Sequence, residues 1–311
     1  MADDLTIDLP PFDQAAAGRF LTTHGRLLDR HRFRIAIERS EAAAHDALDA
    51  LDGYRNDDGG YGWGLEPDLR APESQPVGGL HAIEVFDEAG EVGVTSPRAA
   101  QLCDFLATVT LDDGGVPFAV PIADPAGCAP FWADADPTTS SLQITAAVVG
   151  PAVRTARHDP AVAEHPWFAR AVGYCLDTVG RRPGSLTAYE LMFSLATLDA
   201  LAQGDGEWAA TAQRLLPEVT ASVPSDGPMP VEGGGPDEVL HPVELAPFPG
   251  PARACFDDVA MAADLRRLAA EQRDDGGWEA GFGSFSPIAE LEWRGYTTVK
   301  SVRILTAPPT G

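Results

Sequence analysis

The sequence predicts an all-α protein: a single (α/α) toroid, or barrel, of five to six helical hairpins with long loops on one rim. Three observations predict it. An Asp-Asp-Gly-Gly corner recurs at Asp57-Asp58-Gly59-Gly60, Asp112-Asp113-Gly114-Gly115 and Asp274-Asp275-Gly276-Gly277. Its phase holds, with 55 residues from Asp57 to Asp112 and 162, three steps of 54, from Asp112 to Asp274. A helical apolar pattern precedes each copy, over residues 47–54, 99–110 and 259–270. Paired glycines reach positive φ without a Cβ clash, so each copy ends its helix in a tight turn. The aromatic after the third copy, Trp278, can fold back onto the helix just ended. At the missing phases, Asp226-Gly227-Pro228 reads as a worn copy and Arg182-Pro183-Gly184 keeps only a turn signal.

In chain order, residues 1–12 form an acidic, proline-ended lead and residues 13–311 one domain. Helices are expected over residues 14–30 and 34–54, then 76–89, where Pro76 suits a first turn, and 96–110, opened by Ser96-Pro97. More follow over 138–155, 166–179, 186–202, 207–219, 252–272 and 293–306. Between them lie loops 61–75, 116–136 and 224–251, the last crowded with proline and glycine. Loops this long suit a lid or cavity wall better than plain connections. Each long loop follows the first helix of a hairpin and precedes the second, so the loops share a rim. A site is expected there, at the starts of the second helices: residues 76–81, 138–142, 186–190 and 293–297.

Composition narrows the partners. Forty-seven acidic residues against 22 basic give a formal charge of −25, and Lys300 is the single lysine. So acidic a surface repels phosphate backbones and anionic lipid, which argues against nucleic acid and against stable membrane insertion. No apolar run approaches the ~20 residues of a membrane-spanning helix. The four scattered cysteines and a start without a secretion signal lead us to expect a reducing, cytoplasmic setting.

The stretch Gln272-Arg273-Asp274-Asp275-Gly276-Gly277-Trp278 resembles the QW repeat of squalene-hopene cyclases and of the wider prenyltransferase group. The stretch from Asn56 through Gly60, Tyr61 and Trp63 resembles a second copy. The resemblance implies a toroid whose inner helices line a cavity. It also implies a class II-like terpene cyclase or isoprenoid isomerase that protonates an alkene or epoxide of a hydrophobic isoprenoid substrate. Asp134-Ala135-Asp136-Pro137-Thr138-Thr139 resembles the Asp-x-Asp-Asp-Thr-Ala acid motif of such cyclases. On that match Asp136 is the proton donor and Asp134 its support, with Pro137 where the family has a third Asp. A donor of this kind must stay protonated, which requires burial or a neighbouring like charge. The same segment also suits a helix start, with Asp136 as cap and Pro137 in the first turn.

Around these acids, Phe131, Trp132, Trp63, Trp293 and Tyr296 are candidate substrate-binding aromatics. Glu66 and Asp68 supply acids on the same rim, and Glu190, inside an apolar helical run, needs a partner or a cavity. No cofactor is implied, and no metal-binding pattern such as H-E-x-x-H is present. The scaffold hosts several functions. A second reading is a carbohydrate-active (α/α) barrel enzyme with paired carboxylates drawn from Glu66, Asp68, Asp136 and Glu190. A third is a non-catalytic binder of an apolar ligand.

Overall fold

The computed structural model describes residues 11–224 and 228–308. Most of the lead and the worn corner at Asp226-Gly227 lie outside the described residues. The chain is mostly helical: α1 (Gln14–His24), α2 (Leu27–Glu38), α3 (Glu41–Leu51), α4 (Pro76–Gly90), α5 (Pro97–Val109), α6 (Pro130–Ala133) and α7 (Leu142–Thr155). There follow α8 (Pro160–Ala163), α9 (Pro166–Arg181), α10 (Ala188–Ala202), α11 (Glu207–Thr220), α12 (Pro242–Leu245), α13 (Asp258–Ala270) and α14 (Pro287–Leu305). The strands among the described residues are β1 (Met229–Pro230) and β2 (Val239–Leu240), a short antiparallel pair inside the proline-rich loop.

Local chemistry sets the helix ends. Asp13, Ser40, Ser96, Ser141, Asp257 and Ser286 each cap a helix, their side chains accepting from a backbone N–H of the first turn. Two helices expected over residues 14–54 are three. Gly25 leaves helical conformation after α1, and Arg39 takes a left-handed φ of 47° before Ser40 starts α3. The last helix starts six residues earlier than expected, because Ser286-Pro287 is a cap followed by a first-turn proline.

Three corners share one hydrogen-bond frame. In the first, Asn56 N–H donates to Gly60 O and Gly59 N–H to Asn56 O; Leu111 with Gly115 and Gly114, and Arg273 with Gly277 and Gly276, repeat the pair. The second aspartate of each corner accepts from the second glycine: Asp58 from Gly60, Asp113 from Gly115, Asp275 from Gly277. The first glycine is left-handed each time, with φ of 87°, 95° and 95°. A Cβ there would strike the backbone of the next helix in the series: Gln101 in α5, Arg170 in α9, and Ala16 in α1. Each corner is thus a close-packed seat for a neighbouring helix, and the last seat holds the first helix.

That final contact is reinforced. The Gln272 side-chain amide donates to Asp13 O while its oxygen accepts from Asp13 N–H, at 2.9 and 2.7 Å. Trp278 is buried against Phe12 and returns its indole N–H to Leu268 O of α13. Helix-to-helix contacts pass from α14 to α2, α4, α7, α10, α12 and α13, and α13 meets α14. Helices α1, α3, α5, α9 and α11 each pack against members of this series, and α4 is buried at every position except Glu84. No helix among the described residues is long and apolar enough to cross a membrane.

The corner geometry generates a test. Gly276→Ala adds a Cβ at positive φ into the Ala16 backbone and is expected to destabilise by about 2 kcal/mol or more in urea unfolding. Gly173→Ala, inside α9 with open space around the new methyl, is expected to be neutral or to stabilise by up to ~1 kcal/mol. Equal effects at the two positions would contradict the seat.

Candidate functional site

The acid motif comes first because the resemblance puts proton donation there. Asp136 is exposed, and hydrogen bonds from Thr138 and then Thr139 hold its carboxyl below the usual range. A carboxylate so placed is ionised at neutral pH, the reverse of what a proton donor to an alkene requires. Nor does Asp136 cap a helix, since α7 begins at Leu142 with Ser141 as its cap. Asp134 is also exposed and ends the single turn of α6.

The aromatics beside it divide. Trp132 is buried and stacked on Phe118 at 4.5 Å between centroids, so it pins one loop turn to another. Phe131 and Trp63 are each 58% exposed, and the Trp63 indole N–H donates to Asn56. Glu190 closes a capping box on Thr187 and pairs with Arg182 at 2.6 Å, which satisfies the charge locally.

Four of the expected residues do meet: Glu66, Asp68, Trp293 and Tyr296. Glu66 and Asp68 are buried in the loop between α3 and α4. One Asp68 oxygen accepts the Phe285 N–H and the other the Trp293 indole N–H, both at 2.8 Å. Its main-chain carbonyl accepts from Ala129, so Asp68 ties three loops together. Glu66 lies 2.9 Å from Nε2 of His81 in the second turn of α4. His81 is 4% exposed, and its ring meets Trp293 and Tyr296 edge-on, with centroids 5.8 and 5.4 Å away.

The far side of His81 faces Glu84, with Nδ1 3.7 Å from a Glu84 oxygen. That is an ion-pair distance and too long for a hydrogen bond, so Nδ1 is a buried polar atom without a hydrogen-bond partner. Glu84 also accepts from the Tyr296 hydroxyl at 2.8 Å and pairs with Arg32 of α2 at 3.2 Å. Arg32 in turn holds Glu88, which Arg303 shares. His81, Glu84 and Glu88 are spaced three and four residues apart and form one stripe of α4.

The charges act on one another. Burial alone would push the His81 pKa down, but Glu66, seconded by Glu84, outweighs it and holds the imidazolium above its ordinary value. For Glu84, burial raises the carboxyl pKa, yet His81 and Arg32 draw it down to about 2. Burial and Glu84 push the Tyr296 phenol well above its usual range. The result is a fixed carboxylate beside an imidazole biased toward its protonated form, with a phenol hydroxyl on the other carboxylate oxygen. Glu84 is the one residue of the α4 stripe with appreciable access, its side chain 20% exposed.

Sequence reasoning included His81 at the end of the expected stretch 76–81 without singling it out, and missed Glu84, Glu88 and Arg32. Their signal was present: three titratable residues on one stripe of an otherwise apolar helix, where isolated charges need partners. Two concavities lie elsewhere. One, open and about 550 Å³, is bordered by Asn56, Glu73, Ser74, Phe105 and Val120; the other is about 10 Å³. Neither borders His81 or Asp136. No group of three His, Cys, Asp or Glu among the described residues is placed to hold a metal ion.

Comparison with known proteins adds the fold and no more. No family model and no curated protein matches the sequence. A crystal structure of a protein from Actinoplanes is similar, with a TM-score of 0.53 at 17% identity over 94% of this chain and 98% of that one.

The site generates a titration test. Because the folded-state pKa of His81 is raised, its protonation contributes stability that is complete below the unfolded value, about 6.5, and is lost as pH rises through the folded value. In NMR titration its midpoint should lie above ~6.5 and fall in Glu66→Gln. A midpoint at or below that value in the native protein would contradict the pairing.

Proposed function

We propose that this chain is an α/α toroid enzyme that carries out acid–base chemistry on a small hydroxylated molecule, such as a sugar, at His81 and Glu84. The toroid is supported by the order of helix neighbours and by the seating of α1 in the last corner. One observation carries the chemistry: an imidazole held on one nitrogen by Glu66, its other nitrogen left without a hydrogen bond beside an ionised carboxylate. The ionised Glu84 accepts a hydrogen bond from a ligand hydroxyl and orients it. The Nδ1–H of the His81 imidazolium donates to the oxygen that develops negative charge or leaves. Glu66 fixes the ring orientation and stabilises the imidazolium, and Tyr296 orients Glu84. Asp68 holds the indole of Trp293 and the turn at Phe285 in place, so it positions the wall of the site.

This reading draws on the carbohydrate-active alternative with different carboxylates. Glu66 and Glu84 replace any pair involving Asp136 or Glu190. It is favoured over proton-initiated terpene cyclisation because the site is polar and charged, whereas a carbocation requires a dry wall of rings and a recessed, protonated acid.

A substrate panel tests it. Oligosaccharides and aryl glycosides are incubated with the protein in parallel with squalene and prenyl alcohols, and products are followed by mass spectrometry. Turnover of the hydroxylated class is expected, falling by ~100-fold or more in Glu84→Gln and His81→Gln and unchanged in Asp136→Asn. Conversion of an isoprenoid that depends on Asp136 would overturn the assignment.

A further inference from the structure

Three half-buried rings stand beside the proposed acid–base pair, and that chemistry does not use their faces. Phe282 and Trp293 have centroids 5.0 Å apart at 87°, and Trp293 and Tyr296 are 5.4 Å apart at 90°. Both contacts are edge-to-face, and the ring faces that they leave uncovered carry quadrupoles that attract positive charge. Two of the rings are pinned by carboxylates: the Trp293 indole by Asp68 and the Tyr296 hydroxyl by Glu84. Pinned walls lose little freedom on binding, which favours recognition.

The local charge is unbalanced in the same direction. Among the described contacts, Glu66, Asp68, Glu84 and Glu88 face His81, Arg32 and Arg303. Asp68 is 4% exposed, and the donors to its side chain are neutral: a backbone N–H and an indole N–H. A buried carboxylate without a cationic partner is costly and gains from a nearby positive ligand. Arg32 already stands over the Tyr296 ring at 5.2 Å and His81 meets Trp293 edge-on, whereas no arginine stands over the Trp293 face among the described residues. The net charge of −25 draws cations toward the protein from a distance.

We infer that the Phe282–Trp293–Tyr296 corner, backed by Asp68 and Glu84, is a subsite for a small organic ammonium group. This rests on the proposed site and names the class of ligand that enters it: a hydroxylated molecule carrying an amine or quaternary ammonium. The ammonium sits against the rings, and the unpartnered Nδ1 of His81 meets the hydroxyl. The positive charge of His81 opposes the ligand's at close range, while Glu66 and Glu84 stand on its two nitrogens and screen it.

Calorimetry on the full-length protein tests the subsite. Choline is titrated against 3,3-dimethylbutan-1-ol, a neutral molecule of the same shape, at low and at moderate salt. Choline should bind at least about tenfold more tightly than the alcohol, and Trp293→Leu and Phe282→Leu should each remove about tenfold of that preference. Phe282 lies in a loop, so its variant keeps the test alive if Trp293→Leu fails to fold. Trp293→Phe, which keeps a ring and loses the hydrogen bond to Asp68, should retain most of the preference. Equal binding of the two probes, a preference indifferent to both ring variants, or no choline binding at millimolar concentration would overturn the inference. Turnover of neutral hydroxylated substrates without any ammonium preference would overturn it too, and would leave the acid–base proposal standing. Choline selectivity without turnover of any substrate would uphold the subsite and count against the enzyme.

Discussion

The constraint on which the rest depends is the approach of one backbone to another at the first glycine of each corner. Gly59, Gly114 and Gly276 bring a turn so near the neighbouring helix that a side chain would occupy the space of its carbonyl. Hydrophobic burial is non-directional and would accept many packings of these helices. The corners remove that freedom. Each fixes which way the chain leaves its helix and which neighbouring helix it touches. The third does so across the whole length of the chain, binding residues near 275 to residues near 13 through Gln272.

The polar cluster depends on this arrangement. Its members come from α2, from the loop before α4, from α4 and from α14, so the first third of the sequence meets the last twenty residues. Taking so many charges out of water is expensive, and a well-packed apolar replacement often does as well for stability. The cluster therefore makes more sense as a group of side chains held in set protonation states than as a source of folding energy. Glu66 and Glu84 keep His81 charged, and His81 with Arg32 keeps Glu84 charged. Removing any one disturbs the others, as expected of a coupled network in a low-dielectric setting.

Much of the fold was legible because its signals are chemical and local. Two glycines after two aspartates have few places to go, and serine or proline at a helix start speaks for itself; the α4, α5, α9 and α11 boundaries follow directly. Where reading failed, a local signal was weighed too lightly. Gly25 divides two helices, and Ser286-Pro287 starts α14 by the same device that Ser96-Pro97 uses for α5. Half of the candidate site was legible. Glu66, Asp68, Trp293 and Tyr296 follow from the idea that the long loops meet the second helices at one rim. Asp136 was chosen for its resemblance to a motif, and the threonines that resemblance brings with it are what hold it ionised at the surface. His81 lay in an expected stretch but was not singled out, and Glu84 escaped, because a helix dense in apolar residues reads as core and only their spacing on one stripe distinguishes them.

The central claim is that the two ends of the chain meet and that side chains of α4 and α14 touch beside α2. A double-mutant cycle across that contact tests it most directly. Unfolding free energies would be measured for the native protein, Glu84→Gln, Tyr296→Phe and the double variant. Joined by the hydrogen bond between the Tyr296 hydroxyl and Glu84, the two residues should show a coupling of about 1 kcal/mol. Strictly additive effects would mean that the two side chains do not interact, and the candidate site built on that contact would fall.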